Sequence, residues 1–130
     1  MLEGLAARLQ SASVATPGTN LFLGIMPETP DVCVALYEYA GANPLEVMVD
    51  NDATLERPSV QVIVRASRND YPTARTLIKN VRDTLTAITD ETISGTRFLR
   101  VNQNSAINAV GMDENDRPEF TLSLQAVVER

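Results

Sequence analysis

The amino-acid sequence predicts an α+β fold, in which a twisted, mostly antiparallel or mixed β-sheet packs against a long central helix and a short N-terminal helix. Two segments, residues 2–12 and 71–88, place apolar residues at helical spacing. Several other segments alternate between apolar and polar residues, which is typical of strands with one buried face. With 130 residues, of which 44% are hydrophobic, we expect a single domain over residues 1–130 around one core.

One helix and two strands are predicted before residue 40. The helix follows from the helical spacing of Leu2, Leu5, Ala6 and Leu9. A loop containing Pro17 and Gly18 separates it from a short strand over residues 21–26, which Pro27 closes. Residues 32–39 are apolar on both faces, so they predict a central strand that is covered from two sides.

Residues 40–57 are predicted to form a long exposed loop. The segment contains Gly41, Asn43-Pro44 and the run Asp50-Asn51-Asp52, all of which favour turns. A structureless connection of this length is uncommon in a compact domain, and such segments are commonly functional. Residues 47–49 are compatible with a short strand or hook inside the loop.

The clearest strand and helix signals lie together in residues 59–88. Val60, Val62, Val64 and Ala66 alternate with less apolar residues and predict a strand. Asn69 or Asp70 is expected to cap the long helix that follows, with Pro72 in its first turn. The apolar stripe of this helix comprises Tyr71, Ala74, Leu77, Ile78, Val81, Leu85 and Ile88.

The last third of the chain predicts further strands. Residues 92–95 indicate a tight turn or the end of a short strand, and residues 97–104 a strand. Residues 106–112 and 119–128 read as the two strands of a hairpin. Its tip, residues 112–118, carries an acidic cluster that we expect to be solvated.

The net charge of −6 argues against a domain that binds by neutralising phosphates. The excess negative charge lies in the first half of the chain, because residues 59–130 balance. Residues 1–58 contain only Arg8 and Arg57 as bases, against Glu3, Glu28, Asp31, Glu38, Glu46, Asp50, Asp52 and Glu56.

The sequence holds little catalytic equipment, and we predict that the protein is not an enzyme. It has no histidine, which removes the commonest general base and metal ligand. Cys33 lies in the most apolar strand, where a thiol is expected to pack as a small hydrophobe. A single cysteine favours a reducing compartment. No phosphate-binding loop or nucleophile motif is present, so no cofactor is expected.

Two acidic clusters leave chemical alternatives open. Residues 113–116 are a candidate calcium site, but they lack the central glycine and bidentate glutamate of an EF-hand loop. Glu46, Asp50, Asp52 and Glu56 are a candidate acid–base group, but loop carboxylates lack the burial that separates pKa values. Solvated charge is favoured for both clusters, and no metal is expected.

Arg75, Lys79 and Arg82 lie along one side of the predicted long helix. Such a row could contact phosphate, but a solvated helix face is the default interpretation. No segment approaches the roughly 20 apolar residues of a membrane span, so no membrane partner is expected.

Four motifs, taken in order, carry a resemblance to a known family. They read DVCVALYEYAG over residues 31–41, RPSVQVIVR over residues 57–65, DYPTAR over residues 70–75 and GMDENDRPEF over residues 111–120. Together they resemble the minor capsid and tail terminator proteins of long-tailed bacteriophages. The resemblance spans roughly residues 20–128.

The resemblance implies an α+β fold and assembly as a hexameric ring on the end of the finished tail tube. The ring would stop tube polymerisation and present the head–tail joining surface. It implies the tail tube protein and a neck, stopper or connector protein as partners, with genomic DNA passing through the lumen without specific binding. It places the protein in the virion after assembly in the host cytoplasm, and it implies no cofactor.

Two protrusions, the loop 40–57 and the hairpin tip, are the predicted places for subunit and partner contacts, together with the long helix. The candidate contact residues are Glu46, Asp50, Asp52, Glu56, Arg57, Arg75, Arg82, Asp113, Glu114, Asp116 and Arg117. One hypothesis has part of the acidic stretch 28–56 facing the lumen, where it would repel DNA. A competing hypothesis has these acids docking on a basic rim of the tube or neck protein.

Two alternative functions stay open at this point. The first is another head–tail connector, such as a head-completion or stopper subunit. The second is a small cytosolic domain that binds a ligand with its sheet and a pocket under residues 40–57.

Overall fold

The computed structural model describes the backbone of residues 1–46 and 54–129, and the side chains of residues 1–39 and 55–129. Within these ranges the chain forms two helices and seven strands. In chain order they are α1 (Leu2–Ser11), β1 (Leu21–Leu23), β2 (Cys33–Glu46), β3 (Thr54–Arg65), α2 (Tyr71–Thr86), β4 (Thr89–Ile93), β5 (Thr96–Gln103), β6 (Asn108–Met112) and β7 (Pro118–Glu129).

The strands form one mixed sheet in the order β1-β2-β3-β7-β5-β4, and β6 pairs with the first part of β7. Only β1 and β2 run parallel, and the other described pairs are antiparallel. The predicted α+β class, with a mixed sheet and two helices, is therefore confirmed. None of the described helices is long and apolar enough to cross a membrane.

Both helices pack on one face of the sheet, where the core lies. The predicted alternation of β3 is confirmed, because Val60, Val62 and Val64 are fully buried. The inward side chains of β7, including Leu122 and Leu124, extend this apolar face. They form one cluster with the helix residues Leu5, Leu9, Ala74, Ile78, Val81 and Leu85.

The predicted start of α2 is also confirmed. The Asp70 side chain accepts a hydrogen bond of 3.4 Å from the backbone N–H of Thr73, and Pro72 lies in the first turn. The apolar stripe differs from the prediction at both ends. Tyr71 is 46% exposed, with its ring 5.2 Å from that of Phe120, and Ile88 is buried just beyond the end of the helix.

The prediction of a long loop over residues 40–57 is wrong for most of that range. Residues 40–46 continue β2 and residues 54–57 belong to β3. The pairing shifts register between Tyr39 and Ala42 and again between Ala42 and Leu45. These irregularities accommodate Gly41 and Asn43-Pro44, which favour turns in an isolated sequence. Residues 47–53, including the suggested hook at 47–49, lie outside the described residues.

One strand was missing from the predicted order, because residues 92–95 were assigned to a turn or strand end. Residues 89–93 form β4, and the two-residue turn Ser94-Gly95 joins it to β5. Both turn residues have positive φ, 51° and 81°, as a type I′ hairpin turn requires. The first strand is shorter than predicted and ends at Leu23.

Candidate functional site

The tip of the β6–β7 hairpin is held in shape by one carboxylate. Oδ1 of Asp113 accepts hydrogen bonds of 2.9 Å from the backbone N–H groups of both Asn115 and Arg117. The backbone N–H of Asp113 in turn donates to the carbonyl of Arg117 over 3.0 Å. Such side-chain bonds to nearby backbone are what make aspartate effective in turns.

Arg117 fastens this tip to the body of the protein. Its side chain is only 6% exposed, and Nε lies 2.8 Å from Oδ2 of Asp113. The other guanidinium nitrogens bond to the Glu28 carbonyl at 2.7 Å, to the Asp31 carboxylate at 3.2 Å and to the Glu28 carboxylate at 3.1 Å. Arg117 therefore docks the base of the tip on residues 28–31, which the sequence did not predict, whereas Glu114, Asn115 and Asp116 are exposed as expected.

A second buried arginine, Arg65, also binds this loop. Arg65, at the end of β3, is 4% exposed. Its guanidinium donates to the carbonyls of Pro27 and Pro30, both at 2.7 Å, and of Asp31 at 3.0 Å. The backbone carbonyls of residues 27–31 thus bind the buried Arg65 guanidinium. The acidic side chains of the same loop, Glu28 and Asp31, bind Arg117. We call Arg65, Arg117, Asp113 and residues 27–31 the double-arginine clamp.

The clamp shifts the pKa values of the acids around it. Burial alone would raise the pKa of Asp113, but hydrogen bonds from the backbone N–H groups of Arg117 and Asn115 and from the Arg117 guanidinium lower it below its usual range. Burial raises the pKa of Glu119, the charge of Asp113 adds to this, and Arg65 and Arg117 only partly oppose it. The ionised form of Asp113 is thus favoured.

The clamp borders a polar cleft of about 390 Å³. Arg68 reaches across its rim to Asp116 at 3.2 Å, with both side chains largely exposed. Glu114, which follows Asp113 in the tip, is exposed. The cleft is lined by Asp31, Arg68, Glu114, Asn115, Asp116 and Arg117.

Asp113 and Asp116 of the acidic tip take part in ion pairs, whereas the sequence left a calcium site open there. A guanidinium, not a cavity, lies among the carboxylates of Glu28, Asp31 and Asp113. Among the described residues no group of three or more acids, cysteines or histidines is arranged to hold a metal ion.

Cys33 packs as the sequence predicted. Its side chain is fully buried, and its Sγ donates to Sδ of Met26 at 3.0 Å. Burial raises the pKa of the thiol, and the nearby charges of Arg65 and Arg117 oppose this only in part. The thiolate that a nucleophile would need is therefore disfavoured.

The basic row on α2 divides into two parts. Arg75 and Lys79 are exposed and form no ion pair with any other residue that the structure describes. Arg82 is half-buried and its Nε lies 3.0 Å from Asp83. A shallow groove of about 350 Å³ runs beside this helix, lined by Val32, Pro72, Thr73, Thr76, Leu77 and Asn80.

The structure brings together only some of the residues that the sequence predicted for contacts. Asp113, Glu114, Asp116 and Arg117 share the tip, and Arg75 and Arg82 share α2. Glu46 is the last residue of β2, and its side chain lies outside the described range. Asp50 and Asp52 also lie outside that range. Glu56 and Arg57 are half-buried residues of β3.

Sequence reasoning missed Arg65, Arg68, Glu28 and Asp31 as members of this site. Arg65 occupies the less apolar face of an alternating strand, where an arginine ordinarily indicates exposure. The sequence signal that could have found them has two parts. Arg65 ends β3 and Arg117 directly precedes β7, and an acidic, proline-rich segment, Pro27 to Pro30, lies elsewhere in the chain. Their proximity depends on the pairing of β3 with β7, in which Arg65 lies opposite Glu119.

Comparisons with known proteins bear on this architecture. A sequence model of the family described as bacteriophage tail terminator protein matches residues 8–130. A solved structure titled "Virion of native gene transfer agent (GTA) particle" contains a chain similar in fold, with a TM-score of 0.71 and 18% identity, over 100% of this chain and 95% of that one. No curated protein matches the sequence significantly.

Proposed function

The chain belongs to the bacteriophage tail terminator family, and from that membership we propose that it caps the tail tube as a ring, ends tube polymerisation and forms the surface that joins tail to head. As a member of this family it is a structural phage protein and a component of the virion. The observation that carries the proposal is the family match, which extends over residues 8–130. We further propose that the whole chain acts as one domain and catalyses no reaction.

The clamp supports this role because it fixes the shape of a surface before any partner binds. A tip anchored by buried arginines loses little conformational entropy on docking. Glu114 and Asp116 of the tip are exposed and line the polar cleft. We propose that the tip is one of the contact surfaces and that it meets the tail tube or the neck protein.

A ring built by rotation needs two different surfaces on each subunit. We propose six subunits, as in the family that the sequence resembles, with the exposed cations Arg75 and Lys79 of α2 contributing to a second contact surface. The matching acids would come from a neighbouring copy or from the tube. Complementary charge of this kind mainly sets orientation and association rate, so assembly should weaken as salt rises.

The clamp reduces the number of acids in the stretch 28–56 that could give the lumen a negative potential. Glu28 and Asp31 already pair with Arg117, so they contribute less repulsion than the sequence suggested. Glu38 of the same stretch lies on β2 and is exposed, so it contributes negative potential. We propose that this part of the chain faces the DNA path, where like charge would disfavour sticking.

The direct biochemical test uses purified protein and purified tail tube protein. Adding the protein to polymerising tubes is expected to stop elongation, and negative-stain microscopy should show rings on tube ends. Growth that continues unchanged, with the protein found on head portals instead, would favour a stopper or other connector. Binding of a small molecule that raises the Tm of the monomer, without any tube binding, would favour the ligand-binding alternative.

A further inference from the structure

The chain has two conspicuous stretches without charge, residues 9–27 and residues 101–112, and they are its longest. Both stretches contain many exposed residues, so burial in the core does not account for their lack of charge. Each ends in exposed apolar side chains: Leu23 and Ile25 are 38% and 58% exposed, and Val110 and Met112 are 58% and 54% exposed. Cores of protein interfaces are depleted of charge in the same way.

The second stretch leads into β6, which pairs with β7 along one edge among the described strands. All five of its residues are exposed. It carries none of the lysines, prolines or inward charges that usually protect an open strand edge. Beside it lies a mainly apolar notch of about 100 Å³, bordered by Met112, Pro118, Glu119 and Phe120 and by the exposed ring of Tyr71.

The first stretch leads into β1, at the far edge of the sheet. The outer side of β1 is partly capped, because the Leu21 backbone N–H donates to Thr16 at 3.1 Å and its carbonyl accepts from Gly18 at 3.0 Å. This edge therefore offers little backbone for a further strand. What it offers is the pair of side chains Leu23 and Ile25.

The two apolar patches lie on opposite edges of the sheet and are offset along the strands, because Leu23 is in register with Leu122 of β7 whereas Met112 is opposite Pro118. Leu21 pairs with Val34, Val34 with Val64, Val64 with Phe120, and Phe120 with Ala109, which forms one row across five strands. Four inter-strand steps of ~4.8 Å separate the two edges by about 19 Å. One subunit therefore cannot cover either patch with the other, but successive copies around a ring can.

We propose that the Leu23–Ile25 patch of one copy packs into the Tyr71–Met112 notch of the next copy, so that a second copy of this chain is the partner of both patches. The contact is heterologous, as ring closure requires. Apolar side chains dominate both sides of the contact, and Glu119 is the ionisable residue in the lining of the notch. This inference rests on the proposed ring and specifies which surfaces close it.

Cysteine pairing tests the contact even when association is transient. Ile25→Cys and Met112→Cys variants are mixed under mild oxidation, and native Cys33 does not compete because it is fully buried. The expected result is a mixed disulfide several times more abundant than that formed by either variant with the control Ser94→Cys, which lies in the exposed β4–β5 turn. Equal yields with the control would overturn the inference.

A second test uses charge and separates this inference from the ring itself. Ile25→Asp and Met112→Asp are each expected to block ring closure, whereas Ser94→Asp leaves it intact. Mixing the two blocked variants should restore one contact and give a dimer that grows no further. Rings that form in the wild type and in both variants would overturn the contact but leave the ring proposal standing. A mixed disulfide without wild-type rings would overturn the ring proposal but support the contact.

Discussion

Replacing Arg65 by methionine removes the cation on which the double-arginine clamp is built. Methionine keeps a long, flexible apolar stem in the buried position but has no donor. The carbonyls of Pro27, Pro30 and Asp31 then lose the bonds of 2.7, 2.7 and 3.0 Å that they accept from the guanidinium. Because this loop braces Arg117, the hairpin tip is expected to loosen with it.

The size of the effect follows from three opposing contributions. Hydrogen bonds to a charged group are worth about 1.5–3 kcal/mol each, so these three bonds and a fourth of 3.3 Å to the Glu28 carbonyl set an upper limit of roughly 12 kcal/mol. Removing a buried charge recovers several kcal/mol of desolvation. The residues of the loop are mostly exposed, so their carbonyls can turn to water. A net loss of about 2–4 kcal/mol in the free energy of unfolding remains.

Urea denaturation measures this loss, and thermal denaturation should show a Tm lower by about 10 °C. Arg75→Met is the matched control, since Arg75 is exposed, and it is expected to change stability by less than about 0.5 kcal/mol. Arg65→Lys should recover little, because an ammonium cannot reach several carbonyls in the geometry of a guanidinium. An Arg65→Met protein within about 1 kcal/mol of wild type would refute this reasoning.

Three further predictions concern the core and the acids near the clamp. Gly4→Ala would bring its Cβ within 2.6 Å of Phe98 Cε2 in the core, so overpacking of about 1–3 kcal/mol should outweigh the helix preference of alanine in urea denaturation; a more stable variant would contradict this packing. The lowered pKa of Asp113 means that it stabilises the fold above its unfolded pKa and that this stability is lost as pH falls from about 4 through the lowered value; pH-dependent denaturation should show the loss in wild type and not in Asp113→Asn. The pKa of Glu119 is raised, so its contribution has the opposite sign and stability is lost as pH rises through the unfolded and then the folded pKa. The stability of Glu119→Gln minus that of wild type should therefore be more favourable at pH 7 than at pH 4; a less favourable difference at pH 7 would contradict that sign.

The parts of the fold that the sequence predicted well are those with a strong period. The alternation of Val60, Val62 and Val64 leaves one choice of buried face, and the stripe of α2 leaves one choice of helix face. Both choices are confirmed by full burial. Local chemistry also predicted the start of α2, because an aspartate followed by a proline suits a helix start and no partner elsewhere is needed.

The predictions failed where long-range pairing overrides a local preference. Gly41 and Asn43-Pro44 favour turns, yet the strand partner across the sheet holds residues 40–46 extended by shifting register twice. The short strand β4 was missed because its residues are mostly polar and exposed. It exists because Ser94-Gly95 folds it back on β5.

The clamp could not be predicted because its members are far apart in sequence. Arg117 and Glu28 are 89 residues apart, and Arg65 and Pro30 are 35 residues apart. A charged residue in a sequence indicates a solvated surface by default, and only the assembled sheet shows that these two arginines are buried. The sequence therefore predicts contacts at a free acidic protrusion, whereas in the structure Arg117 holds this protrusion against residues 28–31.

The most direct test of the central claim is the length of tails in particles made without this protein. If it terminates the tail, deletion of its gene should give a broad distribution of overlong tails by electron microscopy, and supplying the wild-type chain should restore one uniform length. Tails of uniform, normal length in the deletion strain, together with filled heads that leak, would contradict the account and indicate a connector of the head instead.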